Sequence, residues 1–315
     1  MNLRRRRCRI LHLAAVGKRL NPSAKRDRQS PFKAVPGSLH GMPKAAPFPV
    51  SHSMEAVSGE TLPLLRAFFL VLCCSGSLFG QAITVAAATD LSVALGELAG
   101  DYQRQTGDTV KLAFGSSGNL LNQIVNGAPF DLFLSADEDY PRQLVKASLA
   151  ESSSFYRYAV GKLVVWVPAS SGLDLEHRGI NVLLDPAVKK VAIANPLHAP
   201  YGRAAEAALR YVGIYDRVAN RLVLGENISQ AAQFVESGSA QVGLVALSHA
   251  MAPMMRGKGR YWEIPQDAYP PLNQAAVILS GSPHKKQAAK FLQFIKTPEA
   301  KAVFERYGFS TPGEH

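Results

Sequence analysis

From Ile83 onward the chain alternates between two hydrophobic rhythms. Short apolar runs read as buried strands, and between them apolar residues recur three and four positions apart, the period of one helix face. ITVAAA (Ile83–Ala88) leads into Asp90–Thr106, where Leu91, Ala94, Leu95, Leu98 and Tyr102 share a face and Gly107 closes the helix. VKLAFG (Val110–Gly115) leads into Ser117–Asn126, with Leu120, Leu121, Ile124 and Val125 apolar and Gly127 at the end. DLFLS (Asp131–Ser135) reads as a strand, Glu138–Ala147 as a short helix, and GKLVVWV (Gly161–Val167) as a long apolar strand. KVAIAN (Lys190–Asn195) precedes a helix over Gly202–Val212, and RLVLGE (Arg221–Glu226) one over Ser229–Ser237. QVGLVAL (Gln241–Leu247) and QAAVIL (Gln274–Leu279) are further strands, and helices over Lys285–Ile295 and Pro298–Tyr307 finish the chain.

This βαβα order predicts an α/β fold with parallel sheets and helices on both faces. The 233 residues from Ile83 suit two domains better than one. No short repeat is visible. Four of the strand-to-helix junctions end in small polar clusters: ATD after the first strand, GSSG after the second, NPLHAPYG after KVAIA, and GENIS after RLVL. In open α/β sheets ligands bind outside the carboxyl ends of the strands, where these junctions lie. A helix start offers unpaired N–H groups and partial positive charge, which suits an anion. Thr89, Ser116, Ser117 and Tyr201 are neutral donors or helix caps. Three junctions contain no Lys or Arg, and Arg203 is the nearest cation at the fourth. Two readings stay open at this point: ordinary N-caps, or helix starts that converge on a dehydrated oxyanion between two facing domains.

The formal charge of +11 first points to nucleic acid or an anionic surface. Its distribution removes that reading. Residues 1–82 hold 13 Lys+Arg against 3 Asp+Glu, whereas the rest of the chain holds 22 against 21. The basic region carries an apolar run, AFFLVLCC (67–74), preceded by Arg66 and followed by Gly80-Gln81-Ala82. That is a signal peptide, cleaved after Ala82. Met54 is the expected start, which makes residues 1–53 an extension and 54–82 the leader; a disordered basic arm is the alternative. Cys8, Cys73 and Cys74 all fall in this region, so disulfide and thiolate chemistry are excluded from the body. Cys73 or Cys74 is a poor match to a lipidation site.

Catalytic constellations are weak. His177, His198, His249 and His284 have no metal-ligand spacing, GSSG is not a nucleophile elbow, and there is no P-loop. Asp131, Asp137 and Asp139 lack calcium-loop spacing and read as strand-end and cap residues. Arg256, Lys258 and Arg260, beside Met251, Met254 and Met255, read as a solvated loop or a partner-docking surface. Asn227-Ile228-Ser229 is a glycosylation sequon that here reads as a junction.

The segments AAATD, GSSGNLLNQIVNGAPFDLFLSAD, YAVGKLVVW, ANPLHAPYG, GLVAL and FERYGF together resemble the periplasmic molybdate-binding proteins of ABC importers, over Ile83–Phe309. The resemblance implies a two-lobed type II binding protein, each lobe a mostly parallel sheet flanked by helices, with two crossover strands as hinge. Lobe 1 is expected over 83–163 and 275–315, and lobe 2 over 164–274. It implies oxyanion contacts from Thr89, Ser117, Tyr201 and Ile228, a backbone contact at Asp90, and Ser116 and Asn227 as secondary candidates. Molybdenum is then held as the oxyanion, with no cation ligands and no cofactor. Two departures stand out. GLVAL ends in Ala246 and Leu247 where many members place a tyrosine that reaches the anion. Asp90 sets a carboxylate beside a dianion, so it either points away as a helix cap, the expected outcome, or carries a proton.

The expected function is therefore that of an exported, non-enzymatic, monomeric receptor. It closes on molybdate or tungstate in the periplasm and presents it to an inner-membrane ABC permease. Sulfate or phosphate as ligand is the alternative. An enzyme on a phosphorylated or carboxylated substrate and a nucleic-acid binder stand further off.

Overall fold

The structure, a computed structural model, describes residues 82–313. The expected start at Met54, the apolar run over 67–74 and the three cysteines lie outside the described residues. Among the described residues no helix is long and apolar enough to cross a membrane.

Two five-stranded sheets form the body, in the orders β2-β1-β3-β10-β4 and β7-β6-β8-β5-β9. The first contains β1 (Ala82–Ala88), β2 (Thr109–Gly115), β3 (Leu132–Ser135), β4 (Tyr156–Gly161) and β10 (Leu272–Ile278). The second contains β5 (Leu163–Pro168), β6 (Val191–Ala194), β7 (Leu222–Gly225), β8 (Val242–Ala246) and β9 (Gly259–Glu263). β1 pairs in parallel with β2 and β3, while β10 runs antiparallel to β3 and β4. β6 likewise pairs in parallel with β7 and β8, and β5 runs antiparallel to β8 and β9. Each sheet thus has a single reversed strand, and it is the first strand laid down after the chain passes from the other lobe. The sheets are mixed rather than purely parallel for this reason.

The two lobes share one plan that the sequence does not display as a repeat. β1 and β6 are the inner strands, each followed by a helix, then by β2 or β7, then by a second helix. The four polar junctions are the first and second strand-to-helix turns of each lobe. α1 (Ser92–Thr106) and α2 (Ser117–Val125) follow β1 and β2, while α4 (Pro200–Tyr211) and α5 (Ile228–Glu236) follow β6 and β7. α3 (Asp139–Lys146), α6 (Lys285–Ile295) and α7 (Pro298–Arg306) complete lobe 1.

Apolar patterning places these helices. Leu95, Leu98 and Tyr102 of α1 meet Phe291 of α6 and Phe304 of α7 in one core of lobe 1, with the Tyr102 and Phe291 rings edge to face at 5.1 Å. Leu120 and Ile124 of α2 and Leu144 of α3 form a second core with Phe133 and Val277. In lobe 2 the helices touch the sheet through small residues: Ala204, Ala205 and Ala208 of α4, and Ala231 and Ala232 of α5, are all buried. Small side chains let a helix lie close to a sheet, so its first turn sits beside the strand ends.

Local differences from the sequence expectation have physical causes. GKLVVWV is broken at Lys162, where the chain leaves one sheet for the other, and the preceding YRYAVG is itself a strand. Arg260 is not part of a loop. It lies in β9 and donates to the carbonyls of Ser171 (3.0 Å) and Leu173 (3.1 Å). α4 begins at Pro200, two residues earlier than the periodicity indicates, because proline at the first helical position needs no N–H acceptor.

Candidate functional site

The four junctions meet at one cavity. It is lined by Ala88, Thr89 and Asp90 from the first junction, Gly115, Ser116 and Ser117 from the second, Ala199, Pro200 and Tyr201 from the third, and Ile228 from the fourth, with Ala136 beside them. Its free volume is about 10 Å³, room for about one water-sized sphere. Among the described residues no Lys, Arg or His lines it. The side chains that do are almost fully buried, with Ser117 at 0 % exposure and Thr89 at 7 %.

The plain-cap reading of the junctions fails at three of them. Ser116 occupies the N-cap of α2, yet its side chain makes no cap bond, and none is made at the starts before Thr89 or Pro200. Only Asn227 caps with its side chain, accepting from Gln230 N at 3.0 Å. That role explains why Asn227, a secondary candidate, is not among the lining residues. Ser117 Oγ accepts the Ala136 N–H at 3.0 Å, which leaves its own proton to donate. At α4, Pro200 has no N–H, so the Tyr201 amide is the first free donor of that helix. Ile228 stands at the equivalent first position of α5, and Thr89 and Asp90 open the short turn Thr89–Leu91 before α1.

Asp90 is not the helix cap it was expected to be. Its carboxylate points at the hinge strand β10, where Oδ2 accepts from Gln274 Nε2 at 2.5 Å. The reason is that Gln274 is fully buried and its carbonyl is occupied by the Tyr158 hydroxyl at 2.8 Å, so its amide needs an acceptor. Asp90 Oδ1 is buried without a formed hydrogen bond. Burial pushes the Asp90 carboxyl up to about 6, against the opposing pull of Gln274, the Tyr201 hydroxyl and the nearby amides of Asp90 and Leu91. Tyr201 keeps its ring in the same pocket, raised well above the usual tyrosine range by burial and then by the Asp90 charge.

His249 moves the other way. It is buried, contacts Ser229 Oγ through Nε2 at 2.7 Å, and burial lowers its pKa to about 4. The two shifts have opposite linkage. Asp90, raised when folded, stabilises the fold below about pH 4 and loses that contribution as pH climbs to about 6. His249, depressed when folded, contributes above about pH 6.5 and loses it as pH falls towards 4. They offset each other between about pH 4 and 6.5. Asp90→Asn is therefore expected to raise stability by about 3 kcal/mol at pH 7.5, to give no gain at pH 4, and to steepen acid unfolding. Denaturant unfolding at both pH values checks this, and equal gains at both would refute it.

Around the cavity the lobes touch through a second set of groups. Gly118 N donates to His198 O at 2.9 Å, and Ser116 Oγ contacts His198 Nδ1 at 3.0 Å. Asn119 donates to Glu226, and Ser248 Oγ donates to Asp90 O at 2.7 Å. Arg203, the one cation flagged near a junction, pairs with Asp137 Oδ2 at 2.5 Å and donates to Tyr140 Oη at 3.0 Å. It bridges the lobes instead of lining the cavity. Arg203→Ala should weaken ligand affinity by up to about fivefold, less at high salt, because a half-exposed pair contributes roughly 1 kcal/mol or less. Titration at low and high ionic strength measures it.

The remaining flagged groups are structural. Asp131 accepts from Thr84 N at 2.7 Å and from Ser282 Oγ at 2.6 Å, and Asp137 accepts from Tyr140 N at 3.1 Å at the start of α3. Among the described residues no cluster of His, Cys, Asp and Glu could hold a metal ion. Sequence reasoning missed Gln274, Asn119, Glu226 and Ser229. His198 and His249 were weighed only as metal ligands.

Comparison with known proteins agrees with this architecture. Residues 83–310 match the family of bacterial extracellular solute-binding proteins. The chain is 38 % identical to the molybdate-binding protein ModA of Rhodobacter capsulatus over 229 residues, 73 % of this chain and 88 % of that one. It is 37 % identical to ModA of Azotobacter vinelandii over 227 residues, 72 % of this chain and 89 % of that one. The solved structure of the Azotobacter vinelandii periplasmic molybdate-binding protein superposes with a TM-score of 0.69, covering 73 % of this chain and 99 % of that chain. The chain belongs to the bacterial extracellular solute-binding protein family, alongside the ModA proteins.

Proposed function

We propose that this protein captures molybdate or tungstate in the cavity between its lobes and delivers it to an ABC import permease. The observation that carries the reading is the convergence of four helix starts on a buried cavity with no cationic side chain in its lining. Such a site holds an oxyanion with hydrogen bonds and helix dipoles alone. Thr89 and Ser117 supply hydroxyls, and Asp90, Tyr201 and Ile228 supply backbone N–H groups. Ser116 adds a lining hydroxyl that is shared with His198. The similarity to ModA proteins of Rhodobacter capsulatus and Azotobacter vinelandii supports the choice of anion.

The protein works as an exported periplasmic receptor without catalysis or cofactor, and as a monomer. Hinge strands β5 and β10 let the lobes open and close, and ligand shifts the population to the closed form. Lobe 1 comprises β1–β4 and β10 with their helices, and lobe 2 comprises β5–β9 with theirs; the expected boundaries at 163/164 and 274/275 shift because Leu163 already pairs in the second sheet and Leu272–Gln274 pair in the first. Calorimetric titration with molybdate, tungstate, sulfate and phosphate tests the reading. Tight binding of the first two alone is expected, and no heat from either would end it.

A further inference from the structure

We propose that Asp90 is the proton-carrying residue of this site: its carboxyl is protonated whenever the dianion is held, so capture takes up one proton from solvent. The inference rests on the oxyanion reading above and adds the charge state of the site. Three observations lead to it. Asp90 lines the cavity and is buried. Its Oδ2 is engaged by Gln274 and the Tyr201 hydroxyl lies beside the carboxyl, whereas Oδ1 is buried with no formed hydrogen bond, a position that can carry one proton. Among the described residues no cation lines the cavity to offset its charge, and Arg203 is engaged with Asp137.

A carboxylate and a dianion sharing one dry cavity repel without solvent screening. Protonation removes that repulsion and replaces an acceptor-only group with an O–H donor, which is what an oxyanion site requires. The groups facing Asp90 do not supply a competing charge. Gln274 and Ser248 are neutral. Tyr201, Tyr158 and Tyr269 all have raised hydroxyl pKa values. His249, reached through Ser229 and the Thr89 carbonyl, is held neutral by burial. Asp90 and Asp137 both act on Tyr158, whose hydroxyl they help to keep protonated. Burial, set against the opposing pull of the hydrogen bonds, already lifts the Asp90 carboxyl to about 6, and an entering dianion lifts it further. Proton uptake is therefore expected above pH 6, with affinity rising about tenfold per unit as pH falls from 8 and levelling near 6.

The test is calorimetric titration of the full protein with molybdate at one pH near 7.2, in PIPES and in Tris. These buffers differ in ionisation heat, so the difference in observed enthalpy counts protons. About one proton taken up by wild type, and close to none by Asp90→Asn, is the expected result. Buffer-independent heat in wild type, or equal uptake in the variant, would overturn the assignment while leaving the oxyanion reading in place. Should Asp90→Asn not fold, the wild-type proton count and its pH dependence decide. Absence of any heat with molybdate would remove the oxyanion reading and this inference together.

Discussion

Gly118→Ala is expected to weaken molybdate binding roughly 10- to 100-fold while leaving the unliganded protein as stable as wild type or slightly more so. Gly118 is the second residue of α2 and has no special backbone angle to protect. Its backbone constraint comes from His198 of the opposite lobe, beside the Tyr140 hydroxyl of its own lobe. A Cβ there would lie 2.7 Å from the His198 carbonyl oxygen, 2.8 Å from the Tyr140 hydroxyl and 2.9 Å from His198 Cα. The backbone bond from Gly118 N to His198 O fixes that approach. An alanine therefore wedges the lobes apart at the mouth of the cavity, and overpacking of this kind costs about 1–3 kcal/mol. The backbone clash with His198 falls on the closed state alone, so it appears in affinity, whereas the Tyr140 hydroxyl, at the end of a side chain, can shift in either state. The open state gains from replacing glycine in a helix, by up to about 1 kcal/mol. Titration paired with thermal unfolding separates the two. Unchanged affinity would mean that the ligand-bound form does not bring α2 and His198 together.

Ser117→Ala should lower both quantities. Its hydroxyl proton is available to the anion, and its oxygen accepts the buried Ala136 N–H. Loss of a donor to a charged ligand costs about 1.5–3 kcal/mol in binding, roughly 10- to 150-fold. Leaving the Ala136 amide unpaired costs about 1–3 kcal/mol in stability even without ligand. The contrast with Gly118→Ala is diagnostic, because one variant separates binding from stability and the other couples them. Lower stability with unchanged affinity would make Ser117 a structural residue only.

The outline of the site was legible because its signals are local. A polar cluster at the end of an apolar run is contained within a few residues, and four such clusters pointed to one face of the fold. The mostly parallel sheets followed from the alternation of strands and helices, but the reversed strands did not. A reversed strand depends on which sheet the chain enters after crossing, which no local pattern encodes. β9 was hidden for a different reason: GRYWE is only partly buried, so its apolar signal is weak. The contacts that close the cavity were out of reach because they join distant segments. Ser116 and His198 are 82 residues apart, and Asn119 and Glu226 are 107 apart. Asp90 shows both sides. The conflict between a carboxylate and a dianion was visible in the sequence, whereas its partner Gln274, 184 residues away, was not.

Function follows from the way the two lobes divide the work. Each lobe contributes two helix starts, and neither pair alone surrounds an ion. In the proposed mechanism, closure assembles the site and excludes water, which strengthens neutral donors enough to hold a dianion without lysine or arginine. Selection among tetrahedral oxyanions then rests on cavity size and on the number of donors.

Anomalous diffraction at the molybdenum edge from crystals grown with molybdate tests this most directly. The account predicts one strong peak in the cavity, with the Thr89 and Ser117 hydroxyls and the Tyr201 and Ile228 amides within hydrogen-bonding distance of its oxygens. A peak elsewhere on the protein, with the four helix starts not in contact with it, would contradict the account.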